Sequence, residues 1–445
     1  MKKVLVILYY WPPAGGSAVQ RWLRFCKYLP EYGWEPVVVA PENACYADVD
    51  PDLAKEIPKE LKVIKIPIRE PYRFYKVFVG LKKGENIGAY MSMKKEPRGM
   101  ARIKNDLSVW IRSNFFIPDA RIFWIRPVVK FLRQYLATNK IDVIITTGPP
   151  QSIHLIGLRL KKSTNIPWIA DFRDPWTSTD LHSALKLTRY AENKHLRLES
   201  KVIKAADHII AIGNDMKDEF QRIGAKFITV ITNGYDESDI RTEGAEPDHK
   251  FSVVHLGTLH FTRNSSALWK ALSEKSLADQ QFANDLSIKL IGTVDFKVIQ
   301  EIESLKLKDY LSITKFVKHA EGMDILRKSS VLLLLINKSN NARGVITGKL
   351  FEYLAAQRPV LMIGPADGDA ASIIKETESG QIAEFEDHNK IRQIIDAYYE
   401  QYKKGELVTK PNSIHKYSRR VLAGRLAGRL DNLTGGLPLP DNTNE

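Results

Sequence analysis

Short apolar runs alternate with helical patterns along this chain in two series, split by one polar stretch, and that arrangement leaves few folds open. The first series runs Val4 to Leu8, Pro36 to Ala40, Val63 to Ile66, Ile141 to Thr146, Trp168 to Ala170, His208 to Ile212 and Phe227 to Thr232. After the polar stretch Glu243 to Lys250 it restarts with Ser252 to Leu256, Ser287 to Ile291, Leu311 to Phe316, Val331 to Ile336, Pro359 to Ile363 and Gln381 to Phe385. Such runs predict strands covered on both faces, and their alternation with helices predicts parallel α/β sheets. The restart predicts a second Rossmann-like domain. The expected division is 1–236 and 250–410, then a basic helix from Ser413 to Leu430 within 411–432 and a flexible tail over 433–445.

At 445 residues the chain is long enough for two to three domains, and 44% hydrophobic with 27% charged residues is an ordinary globular balance. The two cysteines, Cys26 and Cys45, are too few for a disulfide framework, which predicts a reducing compartment. Met1-Lys2-Lys3 leads straight into Val4 to Leu8 and then Tyr9-Tyr10-Trp11-Pro12-Pro13, a first strand rather than a cleavable signal. No apolar stretch has the length of a membrane span, so none is expected.

Basic residues outnumber acidic ones 66 to 52, for a net charge of +14, so the expected partners are anionic. Between Arg69 and Lys130, bases including Lys82, Lys83, Lys94 and Lys95 interleave with aromatics including Trp110 and Trp124. That mixture suits an anionic membrane surface, because cations attract headgroups while aromatics settle at the interface. It also fits an insertion whose aromatics pack inward and whose charges face water. Nucleic acid is not expected, since no DNA- or RNA-binding signature is present.

The sharpest chemical motif is Thr347-Gly348-Lys349-Leu350-Phe351-Glu352-Tyr353, between two of the apolar runs. A helix start offers unpaired N–H groups and the positive end of the dipole, so Gly348 allows close approach, Thr347 can cap and Lys349 adds charge for a phosphate or diphosphate. Glu352, one turn further in, can accept two hydrogen bonds from a ribose. A capped helix with a solvated Lys and Glu fits the same residues. In the loop from Gly257 to Asn264, Arg263 can give bidentate hydrogen bonds to a diphosphate with Lys349 opposite, which stabilises it as a leaving group without a metal.

Three loops of the first domain belong at the carboxyl edge of its sheet. Trp11 to Ser17 carries Gly15 and Gly16, which let backbone N–H groups approach a ligand, and is followed by Arg21 and Arg24. Thr146 to Ser152 leads to His154, and Ala170 to Trp176 carries Asp171, Arg173 and Asp174. Clustered in this way, Asp174, Asp171 and His154 can activate an acceptor hydroxyl. A structural ion pair among the charged residues, and a satisfied core histidine at His154, explain them equally well.

Taken together, Tyr9 to Pro13 with Gly15-Gly16, Asp171 to Trp176, Thr232-Asn233-Gly234-Tyr235-Asp236, Gly257 to Arg263 and Thr347 to Tyr353 make the chain resemble bacterial glycosyltransferases of the GT-B fold, most like glycosyltransferase family 4. The resemblance implies two Rossmann-like domains facing a central cleft, the first binding an acceptor and the second a nucleotide-sugar donor. It also implies that the terminal helix crosses back onto the first domain. Glu352 matches the family's second glutamate. The first would fall at Gly344, where backbone amides of Gly344 to Gly348 are the substitute, and the partner lysine of Arg263 is either Lys270 or Lys349.

The expected activity is therefore metal-independent transfer of a sugar from a nucleotide diphosphate donor, with no cofactor, to a saccharide or lipid-linked acceptor such as a surface-polysaccharide precursor. The expected location is cytoplasmic, peripheral on the inner face of the plasma membrane. A sugar-nucleotide epimerase of the same fold, or a noncatalytic nucleotide-sugar-binding assembly subunit, are the alternatives.

Overall fold

A computed structural model of the chain describes residues 1–46, 48–70, 100–183, 185–240, 247–315, 317–409 and 411–435. Every run expected as a strand forms one, with ends displaced by at most two residues. The first seven are β1 (Lys2–Ile7), β2 (Trp34–Pro41), β3 (Lys62–Ile66), β4 (Val143–Gly148), β5 (Trp168–Phe172), β6 (His208–Ala211) and β7 (Ile228–Val230). The others are β8 (Phe251–Leu256), β9 (Leu286–Ile291), β10 (Leu311–Thr314), β11 (Val331–Leu335), β12 (Val360–Ile363) and β13 (Gly380–Ala383). They form two parallel sheets, ordered β3-β2-β1-β4-β5-β6-β7 and β10-β9-β8-β11-β12-β13.

Met1–Thr232 together with the segment from Arg419 form one compact unit, and Asn233–Ser418 form the other. In each, alternate strand residues feed opposite layers of core. Leu5, Ile7, Val37 and Val39 pack with the helices Ile125–Thr138 and Ser152–Lys161. Val4, Val6, Val38 and Ala40 pack on the other face with the helices Ser17–Tyr28 and Arg419–Leu433. The second sheet is divided likewise, Leu333 and Leu335 facing one layer and Leu332 and Leu334 the other. This double coverage is why the strand sequences are continuously apolar rather than alternating.

The terminal helix begins at Arg419 rather than Ser413, because Ile414–Tyr417 is a separate 3-10 turn. Burial of Leu422, Leu426 and Leu430 seats it on the first unit, each contributing about 1.5–3 kcal/mol. Gly424 permits the close approach, since a Cβ there would lie 2.9 Å from the Tyr32 ring. Tyr32 Oη donates to Arg420 O at 3.0 Å.

Candidate active site

In the second unit, the loops leaving β8 and β9 converge through two glycines. Gly257 and Gly292 hold φ of 97° and 123°, a region side chains rarely adopt. Gly257 N donates to Ile291 O at 2.6 Å, and a Cβ on Gly292 would meet Gly257 O at 2.7 Å. Gly257 in turn clears the path of Lys349, whose Cε lies 2.6 Å from where a Cβ would stand.

The helix Gly348–Ala356 is fixed by Tyr353, whose hydroxyl accepts from Leu256 N at 3.1 Å and donates to Leu333 O at 3.3 Å. Its first turn is therefore held at the carboxyl edge of the sheet. Thr347 is the N-cap residue, but contrary to the expected cap its side chain bonds no helix N–H, and its Oγ1 is buried without a partner. The N–H groups of Gly348 and Lys349 have no backbone acceptor among the described residues. A helix start with unfilled donors of this kind is suited to an anion.

Lys349, rather than Lys270, is the lysine that accompanies Arg263. Lys270 is exposed on the helix Ser266–Ala278, whereas the charges of Lys349 and Arg263 act on each other. Arg263 is aimed by a hydrogen bond from Nε to Asn337 Oδ1, at the end of β11, which leaves its two terminal nitrogens without a hydrogen bond among the described residues. Burial, then the Arg263 charge, pull the Lys349 ammonium down to about 7 against the opposing effect of Glu352. Glu352 Oε1 stands 3.9 Å from His319 Nδ1, and His319 Nε2 lies 3.0 Å from Asp239 Oδ1. Gly344 does not serve as a free amide donor: its N–H donates to Asn341 O inside a 3-10 turn, and that of Val345 to Ala342 O.

The first-unit candidates are placed differently. Asp171 is fully buried, accepting from Arg21 Nη2 at 3.0 Å and Trp22 Nε1 at 2.8 Å. Burial works to raise its pKa, but Arg21 overcomes this and holds the carboxylate below its ordinary range. Arg21 also donates to Thr232 O and Ile231 O, so the pair ties the helix Ser17–Tyr28 to β5 and to the end of β7. Arg173 is buried and donates to the carbonyls of Gly148, Pro149 and Ala18. His154 is buried against Phe172 with Nδ1 2.9 Å from Thr146 Oγ1, and desolvation takes its imidazole down to about 3. Gly15 N–H is engaged by Asp48 O, while Gly16 adopts φ 87° at the start of the helix. Of the three acid–base candidates only Asp174 is exposed, so water limits how far burial raises its carboxyl and Arg173 opposes the rise. Asp171 and His154 brace the loops in this geometry and offer no accessible proton acceptor.

Residues 94–239 match the model of Glycosyltransferase Family 4. The sucrose-phosphate synthase of Thermosynechococcus elongatus aligns over 98% of this chain and 100% of its own, with TM-score 0.62 and 13% identity. The fold is GT-B. Anabaena HepE, solved in complex with UDP-glucose, aligns over 98% of both chains at TM-score 0.57 and 12% identity. WaaG, a glycosyltransferase of lipopolysaccharide biosynthesis, aligns over 98% of this chain and all of its own at TM-score 0.53 and 11% identity. No curated protein sequence matches the chain. The GT-B resemblance read from the motifs is thus borne out, with the family match confined to its own stretch.

His255, Asn337, His319 and the Tyr353 hydroxyl were not read from the sequence as neighbours of Arg263, Lys349 and Glu352. The available signal was a polar residue, His255, inside the otherwise apolar end of β8.

Proposed function

We propose that the protein transfers a sugar from a nucleotide diphosphate sugar to a hydroxyl acceptor, a saccharide or lipid-linked precursor, at the cytoplasmic face of a membrane. One observation supports it most: two basic side chains, Arg263 and Lys349, stand at a helix start whose first N–H groups and Thr347 Oγ1 lack partners among the described residues. Such a cluster binds a diphosphate and stabilises the charge that develops as it leaves, so no metal is required for that step. Glu352 is placed one turn along the helix for the ribose. Asp174, exposed at the end of β5, is the accessible carboxylate for an acceptor hydroxyl. HepE, of the same fold, was solved with UDP-glucose, which supports a nucleotide-sugar donor here.

The test is a thermal-stability panel of nucleotide sugars, followed by release of nucleoside diphosphate with saccharide and lipid-extract acceptors. Stabilisation by one donor, with acceptor-dependent release, is expected. Conversion of the donor without any acceptor would make the protein an epimerase, and binding with no turnover would make it an assembly subunit.

A further inference from the structure

Where β3 ends, the first unit holds a cavity of about 810 Å³, within the range of small-molecule sites. Most of its lining is apolar: Ile66 and Pro67 from the end of β3, with Phe116, Phe123 and Pro127. The two phenylalanine rings meet edge to face with centroids 5.8 Å apart. Two charged residues also line it, and they differ in what they can offer a ligand. Both oxygens of Glu70 are taken, Oε1 accepting from Tyr9 Oη and Oε2 from Cys45 N, each at 2.7 Å, with Arg121 Nε 3.4 Å from Oε1. Arg69 is exposed and has no ion pair among the described residues. A saccharide would need hydrogen bonds to several hydroxyls, which this lining does not supply. What it does supply is apolar contact area and one guanidinium, a fit for an apolar body with an anionic end.

The approach to the cavity is apolar too. Leu107, Trp110, Ile111 and Phe115 are exposed on the helix Met100–Phe115, spaced three and four residues apart and so on one face. That helix leads directly into Phe116, so a water-exposed apolar stripe continues along the chain into the cavity lining. We infer that the cavity takes the apolar chain of a lipid-linked acceptor, with Arg69 on the phosphate that joins the chain to its saccharide. This rests on reading the protein as a glycosyltransferase, and it commits the acceptor to the lipid-linked class. The sheet sets the span. β3 lies four strand spacings of about 4.8 Å from β5, so about 19 Å separates the end of β3 from the end of β5, where Asp174 is exposed. The phosphate and attached sugars of such a lipid bridge a distance of that order, which places the chain at one end of the sheet edge and the reacting hydroxyl at the other.

The experiment is titration calorimetry of the full chain with farnesyl phosphate, below its micelle concentration, beside farnesol and inorganic phosphate. Farnesyl phosphate is expected to bind, farnesol about tenfold more weakly, and inorganic phosphate not measurably. Phe123→Ser, at a half-exposed position, should weaken farnesyl phosphate and farnesol alike, by about tenfold or more. Arg69→Gln should weaken farnesyl phosphate alone, to the level of farnesol. The inference is overturned if farnesyl phosphate does not bind, if it binds Phe123→Ser as it binds the parent, if the parent binds farnesol equally well, or if maltotriose displaces it. A benzophenone-bearing prenyl phosphate gives a second reading on the parent chain, which no folding loss in a variant can obscure. Crosslinks mapped by mass spectrometry to residues 116–127 sustain the inference, and crosslinks confined to other segments overturn it. Failure here is separable from failure of the transferase reading. A chain that binds a nucleotide sugar and no farnesyl phosphate overturns this inference alone, whereas one that binds farnesyl phosphate and no nucleotide sugar sustains the cavity's ligand class and removes the transfer.

Discussion

Arg21 Nη2 and Asp171 Oδ1 meet at 3.0 Å with both side chains out of water, and they join the helix Ser17–Tyr28 to the interior strand β5. Trp22 Nε1 completes the carboxylate's shell at 2.8 Å. Asp171→Ala would leave the Arg21 guanidinium buried without its counter-ion, at a cost of about 3–5 kcal/mol. Urea unfolding should show that loss, while Asp174→Asn, at an exposed position, should keep the parent midpoint and lose turnover. Parent-like stability in Asp171→Ala would return Asp171 to the list of chemical candidates.

Gly257→Ala tests how the space around Lys349 is cleared. The new methyl would need φ near 97° and would stand 2.6 Å from Lys349 Cε. Backbone strain of this kind costs about 1–3 kcal/mol. Because the clash falls on Lys349, nucleotide-sugar affinity should drop further than stability does. A variant with unchanged affinity in calorimetry would show that Lys349 moves aside freely and is not positioned by this loop.

The strands were legible because burial on both faces writes them as continuous apolar runs, β11 and β12 being the clearest. The helix start at Thr347 was legible because Gly348 and Lys349 open a helical pattern between two apolar runs. What the sequence did not disclose was which charges face inward. Asp171, Arg173 and Arg21 look like surface chemistry in a linear reading, and only the strand order shows that they satisfy one another and neighbouring carbonyls. His255 was hidden by the converse effect, a polar residue inside a strand that meets Leu333 O of β11 and Lys349 only in the fold.

Glu352→Ala should weaken donor binding with the fold intact. Its carboxylate lies one turn into the helix, beside His319, where loss of charged hydrogen bonds to a ribose costs about 1.5–3 kcal/mol. That corresponds to roughly a 10- to 150-fold rise in Kd. Arg263→Ala should act differently, lowering turnover more than ground-state affinity, because its free terminal nitrogens meet charge that grows as the diphosphate leaves. Unchanged nucleotide affinity in Glu352→Ala removes that residue from the site, and parent turnover in Arg263→Ala removes the arginine.

The membrane expectation can now be sharpened. Lys82, Lys83, Lys94 and Lys95 lie outside the described residues, and Trp124 is buried with Nε1 donating to Ile66 O, so it is no interfacial aromatic. The helix Met100–Phe115 instead exposes Leu107, Trp110, Ile111 and Phe115, the last at 68%, with Phe123 exposed nearby in sequence. No helix among the described residues is long and apolar enough to cross a membrane. Replacing the four lysines by Gln should reduce co-sedimentation with anionic vesicles, and the loss should resemble that caused by salt, which screens surface charge over about 8 Å at physiological ionic strength. Trp110→Ser with Phe115→Ser should remove the binding that survives high salt, whereas the four-lysine variant should retain it. Equal binding to neutral and anionic vesicles, or none to either, would make the basic stretch a solvated face and point to a soluble acceptor.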